Sequence, residues 1–308
     1  MRDDLQASTL GSKPQDPHSP IRADATRPGP PTLSRLAAVV EVTLVTFGLV
    51  PGLTLAVQHL WPGFEAWQTE ALGFPFPVFV DVSMVLVALL AIALRRRSFA
   101  SYGIHFNNLR PQLDIAATCF IPFALAGFPL GMGVDHTTWG GAAILSVVQV
   151  ALLLVVAWLL RRKPAIGGAA ALSAGLVLLA PSAQGILVEA IVLFLTYALF
   201  VGFGEEILYR GYMHSRLNEA FGTPYSFAGV AFGWGTILTA LLFGLTHIGI
   251  LRCILGLSTE VTYAWGLWTF FGGLVFAFVR EKSGGILAPA LLHGLPQAIA
   301  VVAMLFMG

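Results

Sequence analysis

The residues of this chain that could do chemistry in an apolar setting are concentrated in its last third. Two adjacent acids, Glu205 and Glu206, follow directly on the apolar run that ends at Phe203. On a helix, Glu206 and Arg210 stand four residues apart on one face and can form an ion pair, whereas Glu205 points about 100° away. We therefore predict one carboxylate held by a cation and one available as a general base or acid. The alternative is an ion-pair cluster that ends a helix.

Two histidines lie well inside apolar segments of the same region. His247 ends the sequence Phe-Gly-Leu-Thr-His, and Gln297 follows His293 at a spacing that puts the imidazole and the amide on one helix face. Taken alone, a histidine in an apolar helix is commonly a packed, hydrogen-bonded residue. Together with the Glu-Glu pair, the two histidines indicate a shared polar cavity, because each polar group in hydrocarbon needs partners.

These groups stand out because the chain as a whole is strongly apolar. Of its 308 residues, 56% are hydrophobic and 11% are charged, and the mean hydropathy is +0.80, whereas about 25% of residues are charged in ordinary soluble domains. A soluble globule of this size could not bury so much apolar surface. The formal net charge of +1 gives no reason to expect a nucleic-acid partner. Two cysteines are too few for a disulfide scaffold.

The composition predicts an all-α fold, a polytopic transmembrane bundle of about eight or nine helices with a disordered N-terminal tail. Residues 1–35 are rich in Pro, Ser and mixed charge and form the predicted tail. We expect N-terminal transmembrane helices over residues 36–185 and a catalytic helical core over residues 186–308. The apolar runs are Leu36–Val57, Val78–Leu94, Ile115–Val134, Ala143–Leu160, Ala165–Ala180, Ile186–Phe203, Gly233–Leu255, Thr262–Val279 and Ile286–Met307.

Charged residues near the ends of these runs predict the orientation of the chain. Basic residues close the second and fourth runs, follow the sixth and precede the last, so the positive-inside rule places the N-terminus in the cytoplasm. We expect the membrane to be a bacterial inner (cell) membrane. Four acids near predicted run ends are expected to be structural or interfacial. They are Glu41, Asp81, Asp114 and Glu189.

A common cavity sets a condition on the seventh apolar run. If its helix began as early as Phe227, His247 would emerge at the outer face while Glu205 lies near the inner one. A helix that starts at Gly233 instead places His247 about 20 Å along its axis, at 1.5 Å per residue. The side chains of His247 and Glu205 can meet only if the helix starts at Gly233.

The three polar segments resemble the motifs of the CPBP family of intramembrane proteases, and the resemblance covers roughly residues 186–308. The family includes Rce1-type CAAX prenyl endopeptidases and bacterial bacteriocin-processing or self-immunity proteins. The resemblance implies a glutamate-dependent endopeptidase in the membrane that uses neither a metal nor another cofactor. The matching residues are Glu205, Glu206 and Arg210 for EExxxR, Phe243 and His247 for FxxxH, and His293 and Gln297 for a variant of HxxxN.

The same resemblance implies a role for each matching residue. Glu205 would activate a water molecule as general base together with His247. Glu206 and Arg210 would hold the helix and the first carboxylate in place.

His293 and the residue four positions later would stabilise the oxyanion of the tetrahedral intermediate. At that later position Gln297 stands where the family has Asn. Glutamine keeps the amide donor and adds a methylene, and the loss of one oxyanion donor typically costs about 10²–10³ in rate. We expect a retuned protease, and the alternative is a member that has lost catalysis.

The expected partners are the lipid bilayer and a membrane-associated protein or peptide substrate, with no indication of the oligomeric state. The role could be C-terminal processing or sorting, or a bacteriocin or immunity function. Two other classes stay open. Carboxylates and imidazoles are acceptable zinc ligands, so the cluster could serve a metalloprotease or a cation carrier, although the chain contains no HExxH. The protein could also be a catalytically silent scaffold or immunity protein.

Overall fold

The computed structural model describes residues 32–73, 78–161, 184–249, 253, 256 and 260–307. These ranges contain nine helices, which confirms the predicted all-α bundle. Two further one-turn helices, Phe99–Tyr102 and Phe128–Gly131, lie before and after the helix Leu109–Ala126. The nine are α1 (Thr32–Leu60), α2 (Phe64–Leu72), α3 (Phe79–Leu94), α4 (Leu109–Ala126), α5 (Trp139–Arg161), α6 (from Gln184 to Phe221), α7 (Trp234–His247), α8 (Tyr263–Ser283) and α9 (Leu287–Met307).

Five of the described helices are long and apolar enough to cross a membrane, namely α1, α4 with its one-turn extension, α5, α6 and α9. Large apolar side chains on their outer faces are exposed, as expected for contact with lipid. The apolar helices α3 and α7 have 16 and 14 residues, fewer than the roughly 20 that cross 30 Å of hydrocarbon. The protein is a multi-pass membrane protein. The predicted run Ala165–Ala180 and residues 1–31 lie outside the described ranges.

The buried apolar side chains form two clusters. The first cluster joins α1, α3, the second half of α6 and α7, and it includes Tyr209 and Phe243. The second cluster joins α4, α5, α8 and α9, and it includes Val275 and Leu292. The polar residues singled out in the sequence lie where these two clusters approach each other.

The helix α6 is continuous but contains two π segments, Thr196–Gly204 and Ile207–Met213. Glu205 and Glu206 lie between them in ordinary helical conformation. A π segment adds a residue to the turn and changes the direction of the side chains that follow, and such segments are frequent at functional sites. Glu205 and Glu206 therefore lie on a short α-helical step between two π segments of α6.

The helices α6 and α9 are in backbone contact, which requires glycine on both sides. A methyl carbon at Gly202 would lie 2.9 Å from the carbonyl oxygen of Ala290. A methyl carbon at Gly294 would lie 2.7 Å from the carbonyl oxygen of Tyr197. Small residues allow this close approach in membrane bundles, and it brings the face of α9 that bears His293 against the two acids of α6.

A short hairpin leads from α6 into α7 and sets where α7 begins. Strands β1 (Tyr225–Phe227) and β2 (Val230–Phe232) pair antiparallel. The helix α7 then starts at Trp234 after Gly233, and His247 is its last residue. This confirms the start that the shared cavity requires, with His247 about 20 Å along the axis. The predicted run continued to Leu255, but Gly249 adopts a positive φ of 91° and does not continue the helix.

Candidate active site

The predicted ion pair of α6 is present and lies in the centre of the bundle. Arg210 Nη1 donates to Glu206 Oε1 at 2.8 Å, and both side chains are 0% exposed. His293 Nδ1 donates to the same carboxylate oxygen at 3.0 Å. Arg210 Nη2 also donates to the carbonyl oxygen of Gly273 at 3.2 Å. One carboxylate and one guanidinium thus connect α6, α8 and α9.

Aromatic rings surround the Arg210 guanidinium. Its central carbon lies 4.5 Å from the ring centre of Phe243 and 5.2 Å from that of Phe276. The His293 imidazole stacks on Phe276, with ring centres 4.5 Å apart. Cation–π contacts of this kind offset part of the cost of removing a cation from water. They also fix the planes of the groups that hold Glu206.

Glu205 has a different environment from Glu206, as the helical spacing predicted. Its side chain is 14% exposed, and its Oε2 lies 4.0 Å from His293 Nε2. That separation is too long for a direct hydrogen bond. The same oxygen is buried and has no hydrogen-bond partner among the described residues. Oε2 of Glu206 also has no partner among the described residues, but the Glu206 side chain is 0% exposed. Glu205 is therefore the carboxylate that another molecule can reach.

His247 presents a defined ring nitrogen to the site. Its Nδ1 lies 2.8 Å from the carbonyl oxygen of Phe243. Because a carbonyl oxygen only accepts, Nδ1 carries the hydrogen, and Nε2 keeps its lone pair in the neutral ring. The Phe243 ring approaches both imidazoles, with its centre 4.4 Å from that of His247 and 6.1 Å from that of His293. The structure thus brings together three predicted site residues from α6, α7 and α9.

Gln297 is the one predicted site residue that the structure leaves apart from this network. It lies one turn after His293 on α9, with Pro296 in between. Its side chain is exposed, and it forms no hydrogen bond with the described residues of the site. Its catalytic role stays a prediction.

Asp81 belongs to the site, although its sequence position indicated a hydrated helix end. Its side chain is only 7% exposed, and a methyl carbon at Gly204 would lie 3.0 Å from its Cβ. Asp81 interacts electrostatically with Glu205. The signal that could have identified it is an acid within an otherwise apolar run, the same signal that drew attention to Glu205.

The donor atoms of the site do not form an arrangement suited to a metal ion. Within the described ranges, no group of three or more His, Cys, Asp or Glu side chains could hold one. One oxygen of Glu206 is already shared by Arg210 and His293.

The fold and the site together define a polytopic membrane protein with a buried cluster of carboxylates and imidazoles. Residues 187–299 match the family model described as type II CAAX prenyl endopeptidase Rce1-like. The match confirms the resemblance predicted from the three motifs, and it supports an intramembrane protease of the CAAX type. No curated protein and no solved structure matches the chain significantly.

Proposed function

We propose that the protein is an intramembrane, glutamate-dependent endopeptidase that hydrolyses a peptide bond near the bilayer in a membrane-associated protein. One observation carries the proposal. The buried Oε2 of Glu205 has no hydrogen-bond partner among the described residues and lies 4.0 Å from His293 Nε2, inside the Rce1-like segment. A carboxylate placed beside two imidazoles in a water-poor interior is suited to general-base catalysis.

In the first step Glu205 activates a water molecule. A water that donates to Glu205 Oε2 can donate its second hydrogen to the lone pair of His247 Nε2. Its oxygen attacks the carbonyl carbon of the scissile peptide bond, and its proton passes to the Glu205 carboxylate. The tetrahedral intermediate then carries the negative charge on the former carbonyl oxygen.

In the second step the oxyanion is stabilised and the amine leaves. His293 Nδ1 already donates to Glu206, so donation from Nε2 requires the imidazolium form, whose charge the oxyanion of the intermediate balances. The Gln297 amide, exposed on the same helix, is available as a second donor. Glu205 then transfers its proton to the leaving nitrogen as the C–N bond breaks, which restores the carboxylate.

Two cellular roles fit this chemistry. Trimming of a C-terminal sorting segment and a bacteriocin or immunity function both need hydrolysis beside the bilayer. We propose a bacterial inner membrane with a cytoplasmic N-terminus, on the basis of the basic residues that close the predicted spans.

Terminal-peptide proteomics of membranes tests the proposal and identifies the cleaved bond. Cells that make the wild type should show new protein termini that are absent from cells that make Glu205→Gln. Glu189→Gln is the matched control, because Glu189 is an exposed acid earlier in the same helix, and it should retain the wild-type termini. Identical termini with Glu205→Gln and the wild type would refute glutamate-dependent proteolysis, provided that both proteins reach the membrane in equal amounts.

A further inference from the structure

Tyr209 carries a buried hydroxyl that the reaction described above does not use. It lies four residues after Glu205, at the spacing that separates Glu206 from Arg210. Its ring is buried and packs edge-on against Phe243, with ring centres 4.9 Å apart. Its hydroxyl lies 2.8 Å from Thr246 Oγ1 on α7. The helix of the two acids is thereby hydrogen-bonded to the helix of His247.

The direction of this hydrogen bond follows from the neighbours of Thr246. Thr246 Oγ1 donates to the carbonyl oxygen of Phe243 at 2.8 Å. A hydroxyl has one hydrogen, so in the Tyr209 contact Thr246 accepts and Tyr209 donates. The Tyr209 hydroxyl therefore keeps the Thr246 hydroxyl in the orientation in which the Thr246 hydrogen points at the carbonyl oxygen of Phe243.

That orientation matters because the same carbonyl oxygen fixes His247. Nδ1 of His247 donates to it at 2.8 Å and lies 3.5 Å from Thr246 Oγ1. A Thr246 hydroxyl free to rotate could donate to Nδ1 instead, which would favour the other tautomer and place the ring hydrogen on Nε2. The ring nitrogen facing the site would then no longer accept a proton from water.

We infer that Tyr209 is a positioning residue that acts through Thr246 to fix the ring orientation and tautomer of His247, an inference that rests on the proposed function. Tyr209 does not touch the reacting atoms. Its loss affects the step in which water is activated and leaves the binding of substrate unchanged.

The test measures kcat and KM of purified protein in lipid nanodiscs, with a synthetic peptide that spans the bond mapped by proteomics. Tyr209→Phe keeps the ring and removes the hydroxyl, so kcat should fall about 10- to 100-fold, a range typical of misplaced catalytic groups, while KM stays within about twofold. Tyr212→Phe is the matched control. Tyr212 is also buried in α6, and its hydroxyl donates to Glu41 at 2.8 Å, outside the site. The kcat of Tyr212→Phe should equal that of the wild type.

A second pair of variants distinguishes positioning from packing. Thr246→Val preserves the shape of the side chain and removes the only hydroxyl that could compete for His247 Nδ1, so it should retain most of the rate. Thr246→Ser keeps the hydroxyl and should retain most of the rate. The double variant Tyr209→Phe, Thr246→Val should recover the rate lost in Tyr209→Phe, because no hydroxyl is left to donate to His247 Nδ1. A double variant as slow as Tyr209→Phe would show that the loss comes from packing, and the positioning role would be wrong.

The outcomes separate failure of this inference from failure of the proposed function. If the wild type cleaves, Glu205→Gln does not, and Tyr209→Phe matches the wild type in kcat, the positioning role is wrong and the proposed function stands. If Tyr209→Phe lowers kcat only as much as Tyr212→Phe does, the effect is general to buried hydroxyls of α6, and the positioning role is again wrong. If Glu205→Gln cleaves like the wild type, the proposed function fails, and this inference fails with it.

Discussion

At the scale of single residues, the neighbouring acids Glu205 and Glu206 differ because of what lies four residues after each. Arg210 faces Glu206 and neutralises it, whereas Tyr209 follows Glu205 and donates elsewhere, to Thr246. A charged group in a membrane interior is costly unless it is paired. The site tolerates Glu205 because it is partly exposed.

Removal of Arg210 should destabilise the protein strongly. Arg210→Met leaves Glu206 buried without its guanidinium partner, and breaking a buried pair typically costs about 3–5 kcal/mol of unfolding free energy. Arg97→Met is the control, because the Arg97 side chain is 54% exposed and lies 3.4 Å from Glu219, and such surface pairs contribute at most about 1 kcal/mol. Thermal unfolding in detergent measures both variants. Equal unfolding temperatures would show that the buried pair contributes little.

The amide of Gln297 gives a second test at this scale. If it donates to the oxyanion, Gln297→Ala should lower kcat about 10²-fold, as the loss of one such donor does elsewhere. Gln297→Asn keeps a donor and should stay within about tenfold of the wild type. Kinetics with the mapped peptide measure both rates. A Gln297→Ala protein as fast as the wild type would remove Gln297 from the mechanism.

At the scale of helices, the contact of α6 with α9 depends on glycine. Gly294→Ala would place a methyl carbon 2.7 Å from the carbonyl oxygen of Tyr197, so α9 and His293 must move away from α6. Overpacking of this kind typically costs about 1–3 kcal/mol, and cleavage should fall with it. Gly52→Ala is the control, because a methyl carbon there meets nothing within 4 Å. It should leave unfolding temperature and cleavage unchanged, and an equal loss in both variants would contradict the account.

The sequence predicted most of the helices and the ion pair because both depend on local spacing. Apolar runs and the four-residue interval of Glu206 and Arg210 are periodic features of a helix. The rise per residue showed which start of α7 lets His247 reach Glu205. The π segments of α6 could not be predicted, since they depend on contacts with other helices. For the same reason the burial of Asp81 beside Gly204 and the contact of Tyr209 with Thr246 became visible only in three dimensions.

At the scale of the whole molecule, the site lies where the two buried apolar clusters meet. Each cluster supplies a different part of it, with Tyr209 and Phe243 on one side and Leu292, next to His293, on the other. At one end of the bundle an ion network joins α1 to the ends of α3 and α6, with Glu41 accepting from Arg95 and Arg216. Side chains of both clusters thus pack around the site, and the ion network lies apart from it.

The proposed chemistry predicts that hydrolysis survives removal of metal ions. The purified protein should cleave the mapped peptide at an unchanged rate after dialysis against EDTA and 1,10-phenanthroline, because Glu205 and the two imidazoles act without a metal. A zinc protease of the HExxH class with a similar optimum serves as the positive control for chelation. Loss of the activity, with recovery on adding back zinc, would favour the metalloprotease alternative.

The most direct test of the central claim is the initial rate of hydrolysis of the mapped peptide by purified Glu205→Gln relative to the wild type, measured in nanodiscs with chelator present. Glutamine keeps the size and shape of the side chain and cannot take a proton from water. The account predicts a rate at least about 10³-fold lower at an unchanged unfolding temperature. A rate within tenfold of the wild type would contradict it.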